Sequence, residues 1–337
     1  MDVKFGVYLP TFSRVKTGRE LWNFCLESAL IADKLGFESI WAPDHLLGFD
    51  SVERIGEPSI DMLESFTTIT ALAQATRSVK IGFSVLCLLF RNPALTAKMA
   101  ATLDVISNGR LLFGLGAGWR KDEFKSYGYV WRPLKERLEE SIEATEIIKR
   151  CWTMDKVYFK GKYYNIDGCE VKPKPLQKPN PPIWFGGVGL KALEGFMRIS
   201  PDGWLAPPLR LEDLKYRIDA FNMKGRGLTI AMEMYTSIDV TSDKALENAR
   251  RSVERWFGDS AEKVAEYDTS VQLPGGITVH YGATIGSPDH CIDVISRYVE
   301  IGVSHFVLHF MPLEATVEGL KMYAEKVIPY FSEYSSF

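Results

Sequence analysis

Strand-like and helix-like patterns of apolar residues alternate along most of the chain. Val3–Leu9 has the composition of a buried strand, and Glu20–Leu35 carries apolar residues at helical spacing before Gly36, a typical helix terminator. Further strands are predicted at 39–42, 79–86, 111–115, 183–185, 203–206, within 229–240 and at 305–309. Further helices are predicted at 66–76, 93–107, 132–151, 190–199, 211–222, 242–256, 288–301 and 313–331.

This alternation predicts the fold class. Strands that alternate with helices indicate a parallel sheet under covering helices, and eight such units fit a closed (β/α)8 TIM barrel. Two stretches interrupt the alternation: the proline-rich segment 152–182, with a hairpin around Tyr158–Ile166, and the segment 258–285. We therefore expect a single domain over residues 1–337, with both insertions at the C-terminal face and the first of them over the mouth of the barrel.

Composition and charge narrow the class of protein. With 337 residues, 46% hydrophobic and 25% charged, the chain is an ordinary globular sequence. A formal charge of −3 and scattered basic residues give no reason to expect nucleic acid or an anionic membrane as a partner. No apolar run reaches the roughly 18 residues of a membrane span, and the N-terminus leads into a strand rather than a signal region. Five widely spaced cysteines are typical of free thiols in a reducing compartment, so we expect a cytoplasmic enzyme.

The most informative position is the end of the second predicted strand, where Asp44 and His45 follow one another. Catalytic residues of β/α barrels gather where strands end, because side chains there face an open mouth. A histidine titrates near neutral pH, and a neighbouring carboxylate can fix its tautomer. The alternative is an aspartate that caps a helix, next to a surface histidine.

Glycines mark two further strand ends. Gly114, Gly116 and Gly118 alternate at the end of the fourth strand, a pattern that admits a flat ring or a phosphate but also suits a tight turn. The segment 182–189 precedes a helix, and amides at a helix N-terminus form a phosphate seat, although barrels usually place it after later strands.

The remaining histidines, His280, His290, His305 and His309, show no metal-ligand spacing, and no metal site is predicted. His305 and His309 share one face of a strand but lie about 13 Å apart, too far for one metal ion. Structural roles are expected for all four, with His309 the one near enough to the strand end to reach a site.

Taken together, these segments resemble the bacterial-luciferase-like superfamily of flavin and deazaflavin oxidoreductases. The resemblance lies in the order and spacing of Trp41–His45, Gly82–Val85 with Arg91–Pro93, Ser107–Arg110 with Gly114–Trp119 and Glu123–Phe124, Pro182–Gly187, and Gly286–Asp289 with Gly302–Phe306. It covers nearly the whole chain. It implies a (β/α)8 barrel with an isoalloxazine-type ring in the C-terminal mouth, and a homodimer.

The resemblance also implies a cofactor and its contacts. One branch of the superfamily uses FMN and oxygen, and the other uses coenzyme F420, a deazaflavin, for hydride transfer. The Asp-His pair, Arg91-Asn-Pro93 and Gly116–Trp119 look more like the F420 branch. By this resemblance Asp44 contacts the cofactor and His45 is the catalytic acid or base. The ring would be lined by Ser84, Val85, Cys87, Gly118, Trp119 and Asp122, the phosphate would be held by Gly186, Gly187 and Gly189, and the Ser84–Val85 peptide would be cis.

One departure changes the expected substrate. Trp119 stands where the sugar-phosphate dehydrogenases of the F420 branch have a glutamate, so glucose 6-phosphate is not expected and the second proton-transfer group is unidentified. The bulky residues Trp41, Phe83, Trp119 and Trp184 suit a flat ring and a non-sugar substrate. Two alternatives stay open: an FMN-dependent monooxygenase that uses reduced flavin and oxygen, and a non-catalytic flavin-binding protein.

Overall fold

Eight parallel strands form a closed barrel in a computed structural model of the protein, which describes residues 2–13, 15–48, 60–257, 269–273 and 277–333. The strands are β1 Lys4–Tyr8, β2 Ser39–Ala42, β3 Lys80–Phe83, β4 Leu111–Gly116, β5 Ile183–Gly186, β6 Gly203–Ala206, β7 Thr229–Ile238 and β8 His305–Phe310. Neighbours in sequence pair in parallel, β8 pairs with β1, and β4 pairs with β5. The predicted (β/α)8 barrel is confirmed.

Helices cover the outside of the barrel. They are α1 Gly18–Lys34, α2 Ser65–Ala75, α3 Pro93–Ile106, α4 Lys121–Ser126, α5 Leu134–Thr153, α6 Leu190–Met197, α7 Leu211–Ala220, α8 Ser242–Phe257, α9 Pro288–Glu300, α10 Thr316–Met322 and α11 Ile328–Glu333, the last two joined by a π-helical turn at Tyr323–Val327. Most bounds differ from the predicted ones by one or two residues. Capping residues followed by proline define where two of these helices begin: Asn92 caps α3 ahead of Pro93, and Ser287 caps α9 ahead of Pro288.

Two tryptophans fill the lower interior of the barrel. Trp41 on β2 and Trp184 on β5 stack with ring centroids 5.2 Å apart, and both are buried. Glycines on the adjoining strands make the room: a Cβ on Gly82 would lie 2.4 Å from the Trp41 ring, and one on Gly203 would lie 2.8 Å from Trp184. The two indoles therefore form a packed layer beneath the mouth. They were expected to line the site, and they lie below the exposed part of that lining.

His305 completes this layer in a structural role. The Trp41 indole N–H donates to the Ser39 hydroxyl at 2.7 Å, and that hydroxyl lies 2.7 Å from His305 Nε2. Burial, helped by the charges of two lysines, lowers the pKa of His305 to about 3, so the ring is neutral.

Phe83 lies on the opposite side of its strand from the barrel interior. Its ring packs between Phe66 of α2, at 4.6 Å, and Phe113 of β4, at 6.4 Å, in the core between sheet and helices. Its expected place in the site lining is therefore wrong, because side chains alternate between the two faces of a strand.

The first insertion lies at the end of the barrel opposite the mouth. Its predicted hairpin is present as Val157–Lys160 paired with Asn165–Cys169. Farther along, the Gln177 amide donates to Asp104, in the last turn of α3, and to the carbonyl of Leu111, the first residue of β4. The expectation that 152–182 covers the mouth is therefore wrong: the segment follows a helix and precedes a strand, and such connections lie at the N-terminal ends of barrel strands.

The second insertion reaches the C-terminal face, as expected. Ala283–Gly286 adds a parallel strand beside the C-terminal half of β7, and the Gly282 N–H donates to the carbonyl of Pro208, beyond the end of β6. A hairpin of Thr269–Leu273 and Ile277–Tyr281 precedes it. Residues 258–268 and 274–276 of the predicted insertion lie outside the described residues. Within the described part of the chain, no helix is both long and apolar enough to cross a membrane.

Candidate active site

His45 stands at the C-terminal mouth of the barrel and is held there by Glu123. Its Nδ1 lies 3.0 and 3.1 Å from the two carboxylate oxygens of Glu123, and 17% of its side chain is exposed. The ring meets Trp119 edge-on at 5.7 Å. No helix begins at Asp44, so the alternative of a capping aspartate beside a surface histidine is wrong.

Glu123 is one residue of the candidate site that sequence reasoning missed. It also accepts hydrogen bonds from the backbone N–H groups of Leu46 and Leu47, at 2.9 and 3.2 Å, and lies 3.4 Å from Arg120. Burial alone would raise the pKa of its carboxyl, but His45 and Arg120 outweigh burial and lower it. The sequence signal was the acid itself, four residues after Trp119. Glu123 was used only as one of the residues that carry the family resemblance.

Asp122 points to protein rather than into open space. Its carboxylate accepts two hydrogen bonds from the buried Arg120, at 3.2 and 2.6 Å, and Arg120 also donates to the carbonyl of Leu47. Burial opposes but does not cancel the effect of Arg120, which lowers the pKa of Asp122. Arg120 thereby ties α4 to the loop that carries His45, and the cofactor contact of Asp122 stays a prediction.

Asp44 forms a buried pair with Arg91 beneath the mouth. Arg91 donates to both carboxylate oxygens, at 2.7 and 2.8 Å, and the Cys87 N–H donates at 2.9 Å. Burial raises the pKa of Asp44, while the bidentate hydrogen bonds and charge of Arg91 oppose that rise. The same guanidinium donates to Glu64, the cap of α2. Asp44 thus fixes the segment after β3, and its contact with a cofactor stays a prediction.

The segment after β3 bulges into the barrel at Ser84–Val85, where the peptide bond is cis, as the resemblance implied. Val85 presses on the neighbouring strands: a Cβ on Gly116 or on Gly186 would lie 2.8 Å from its methyl groups. Gly118, with φ +69°, leaves room for the Cys87 sulfur in the same way. The alternating glycines at the end of β4 therefore make room for the adjacent bulge of the protein itself. Their spacing had suggested either the approach of a ring or phosphate or a tight turn.

Comparison with known proteins places the chain in a family. A family model described as Luciferase-like monooxygenase matches residues 3–305. The chain belongs to this family. It is 29% identical over 318 residues to the F420-dependent glucose-6-phosphate dehydrogenase of Amycolatopsis mediterranei (strain U-32), covering 90% of this chain and 93% of that protein. It is 33% identical over 256 residues to the FMNH(2)-dependent dimethylsulfone monooxygenase of Pseudomonas putida, covering 74% and 68%.

Among solved structures, an F420-dependent secondary alcohol dehydrogenase in complex with an F420-acetone adduct superimposes with a TM-score of 0.74 at 24% identity. The match covers 97% of this chain and 98% of that one. This likeness shows that the two proteins share the luciferase-like fold.

In this luciferase-like protein the glycine loop after β5 has room for a ligand. Gly187 adopts φ +150°, and a Cβ on Gly189 would meet nothing within 4 Å. Gly189 is the N-cap of α6 and has no side chain to cap it; its carbonyl accepts from the Ala192 N–H, and no side-chain cap bonds the N–H groups of Leu190 and Lys191. Gly186 makes room for the bulge rather than for a ligand, because it lies against Val85. The loop suits an anion, and the phosphate-binding role of the three glycines stays a prediction.

Glu233 is a second residue that sequence reasoning missed. It lies on the inner face of β7, and its carboxylate accepts a hydrogen bond from the Ser84 hydroxyl. Burial raises its pKa to about 7, against the opposing effect of Ser84. The signal was a single acid in the otherwise uncharged strand Thr229–Ile238, at a position that alternation places inward with Ala231 and Tyr235.

Proposed function

We propose that the protein is an oxidoreductase that binds coenzyme F420 and transfers hydride between this deazaflavin and a small organic substrate. The observation that carries the proposal is the His45–Glu123 pair at the mouth, beside the Ser84–Val85 bulge. The F420-dependent relatives support it. His45 is the acid or base of the reaction.

The residues present fit such a cofactor. Val85 is partly exposed and forms a wall at the mouth, and the open loop of Gly187 and Gly189 before α6 suits its phosphate. Ser84, Cys87, Gly118 and Trp119 lie around that wall. When bound, the deazaflavin supplies the hydride chemistry, and the protein binds, orients and excludes water.

Glu123 determines which nitrogen of His45 exchanges a proton. A carboxylate beside Nδ1 favours the tautomer with its proton on that atom, which leaves the lone pair of the neutral ring on Nε2. In that state Nε2 can take the proton of a substrate hydroxyl. In the reverse direction, the imidazolium returns a proton to a carbonyl oxygen, with Glu123 balancing its charge.

The walls of the mouth favour an uncharged substrate. Ile60, Met62 and Val85 pack, partly exposed, against the buried Tyr8 and Phe12. Trp119 adds an indole where sugar-phosphate dehydrogenases of the F420 branch carry a glutamate. We therefore propose a small, mainly apolar alcohol or carbonyl compound rather than a sugar phosphate.

The same indole supports a second candidate, an FMN-dependent monooxygenase that uses reduced flavin and oxygen. Without a glutamate at position 119 the mouth lacks one feature of the F420-dependent sugar-phosphate enzymes. The 33% identity to the FMNH(2)-dependent dimethylsulfone monooxygenase of Pseudomonas putida points the same way.

Titration of the purified protein with F420 and with FMN, followed by absorbance and fluorescence, distinguishes the candidates. We expect tighter binding of F420, and its reduction by a secondary alcohol without oxygen. Tighter binding of FMN with oxygen-dependent oxidation of an organic substrate would establish the second candidate. Binding of either cofactor with no turnover across a panel of alcohols, carbonyls and sulfones would indicate a non-catalytic binding protein.

We further propose that the protein works as a homodimer in the cytoplasm. All five cysteines are free thiols, in keeping with a reducing compartment. Size-exclusion chromatography with light scattering should give twice the 38.1 kDa protomer mass, and a protomer mass in solution would contradict the dimer.

A further inference from the structure

Glu233 lies inside the barrel, between the layer of Ala231 and His305 and the layer of Tyr235 and His309. On β7 it is aligned with Val307 of β8, one inward position above the aligned pair of Ala231 and His305. Tyr8 of β1, which stacks on His309, and Ser84 after β3, which donates to Glu233, belong to the same interior. Both are at least nine-tenths buried, whereas Glu233 is partly exposed. Because the layer of Trp41 and Trp184 closes the barrel below, the exposed part of Glu233 faces the mouth.

The groups around Glu233 are neutral near pH 7. His309 of β8 stacks on Tyr8 of β1 at 4.3 Å and packs against Tyr235 of β7 at 4.8 Å. Burial lowers the pKa of His309 to about 3 and raises the pKa of Tyr8 well above its usual value. No ion pair among the described residues includes Glu233, and its hydrogen bond comes from the Ser84 hydroxyl.

A carboxyl in such surroundings can hold a proton and give it up within the physiological range. It is also within reach of whatever occupies the mouth, because it shares a hydrogen bond with Ser84, beside the wall formed by Val85. His45 approaches the mouth from the loop after β2, so two groups that can exchange protons stand at the mouth on different strands.

We propose that Glu233 is a second catalytic residue, which contacts the bound deazaflavin and supplies the proton that accompanies hydride transfer. This inference rests on the proposed function. In the oxidation of an alcohol, the carbinol C–H bond breaks and its electron pair leaves with hydrogen as hydride to the deazaflavin. The O–H proton passes to His45 as the C=O bond forms. A bound deazaflavin would take up the hydride together with one proton, which Glu233 would release. Exchange with water would then remove the proton from His45 and restore the proton of Glu233.

Infrared difference spectroscopy of the apoprotein tests the proton directly. Between pH 5 and pH 9 the wild-type protein should lose a protonated-carboxyl band with a midpoint near the Glu233 pKa of about 7, and Glu233→Gln should lack this band. Addition of F420 should move the midpoint by about one pH unit, since a ligand in contact changes solvation and charge at the carboxyl. Glu140→Gln is the matched control, because burial also raises the pKa of Glu140, on α5 outside the mouth.

Activity provides the second readout. Turnover of wild type in alcohol oxidation should fall as the pH rises through about 7, because the proton donor is lost. Glu233→Gln should be slower by about 10²-fold, without that fall, while F420 still binds. Absence of the band, a band that persists in Glu233→Gln, or a midpoint that bound F420 leaves unmoved would each overturn the inference alone. If wild type binds no F420, the inference falls together with the proposed function.

Discussion

At the scale of single residues, Glu123 and Glu233 show how one barrel gives two carboxyls different roles. Glu123 faces a histidine and an arginine, and the pKa of its carboxyl is lowered. Glu233 has a serine as its hydrogen-bond partner, and burial raises its pKa to about 7. Neither role could be predicted from the sequence, because each depends on partners distant in the chain: Glu123 is 78 residues from His45, and Glu233 is 149 residues from Ser84.

Substitution of His45 tests the acid or base of the site. His45→Ala should reduce turnover by about 10²–10⁴-fold, the usual effect of losing such a group, and should leave cofactor affinity nearly unchanged. Glu123→Gln keeps a hydrogen-bonding side chain of the same shape and should cause a smaller loss. Steady-state kinetics with a cofactor titration of each variant would measure both effects. Unchanged turnover in His45→Ala would mean that the histidine transfers no proton.

Glu233 also makes the stability of the protein depend on pH. Its pKa is raised from 4.5 to about 7 in the folded state, so between these values the folded protein binds more protons than the unfolded one. Stability therefore falls as the pH rises through this window, by roughly 1–3 kcal/mol. Glu233→Gln should abolish that part of the loss.

Thermal or urea unfolding of wild type and Glu233→Gln at pH 5 and pH 8 measures this effect without any cofactor. The variant should gain stability relative to wild type at the higher pH. An equal difference between the two proteins at both pH values would show that Glu233 does not titrate in this window.

At the scale of elements, the bulge after β3 depends on glycines in the neighbouring strands β4 and β5, which have no side chains to meet Val85. The residue pattern predicted a continuous strand to residue 86, whereas β3 ends at Phe83. The pattern could not show the bulge that follows, which was predicted from the family resemblance alone. Helix α4 was not predicted at all, since a six-residue helix is too short to show an apolar period. Longer helices, with three or more turns of amphipathic pattern, were predicted closely.

Gly186→Ala tests the fit between the bulge and β5. The new methyl would lie 2.8 Å from both Val85 methyl groups, so we expect a loss of about 1–3 kcal/mol in unfolding free energy from overpacking. The double variant Val85→Ala, Gly186→Ala should recover part of that loss. Gly189→Ala is the control, because its methyl would meet nothing within 4 Å. Equal losses in Gly186→Ala and Gly189→Ala would argue against the contact.

At the scale of the whole molecule, the number and order of β/α units were enough to predict a closed barrel. The side of the barrel on which each insertion lies was not, because a proline-rich segment has no periodicity to orient it. Gln177 shows what the first insertion does: it donates to Asp104 at the end of α3 and to the first residue of β4, next to the pairing of β4 with β5.

Gln177→Ala tests this role. Loss of the amide removes one partner of the fully buried Asp104 carboxyl, so we expect the free energy of unfolding to fall by about 1–3 kcal/mol. Cofactor affinity should stay the same, because the segment lies opposite the mouth. A weaker affinity for cofactor with unchanged stability would instead place the segment near the site.

The stacked indoles of Trp41 and Trp184 have a consequence for the order of events in turnover. They plug the barrel, so the mouth is a blind-ended cup in the part of the molecule that the structure describes. Both ligands of the proposed reaction then enter and leave by the same opening, so we expect the one seated deeper to arrive first and depart last. Turnover should thus follow a compulsory sequence of arrivals and departures, with an excess of the shallower ligand trapping the deeper one inside.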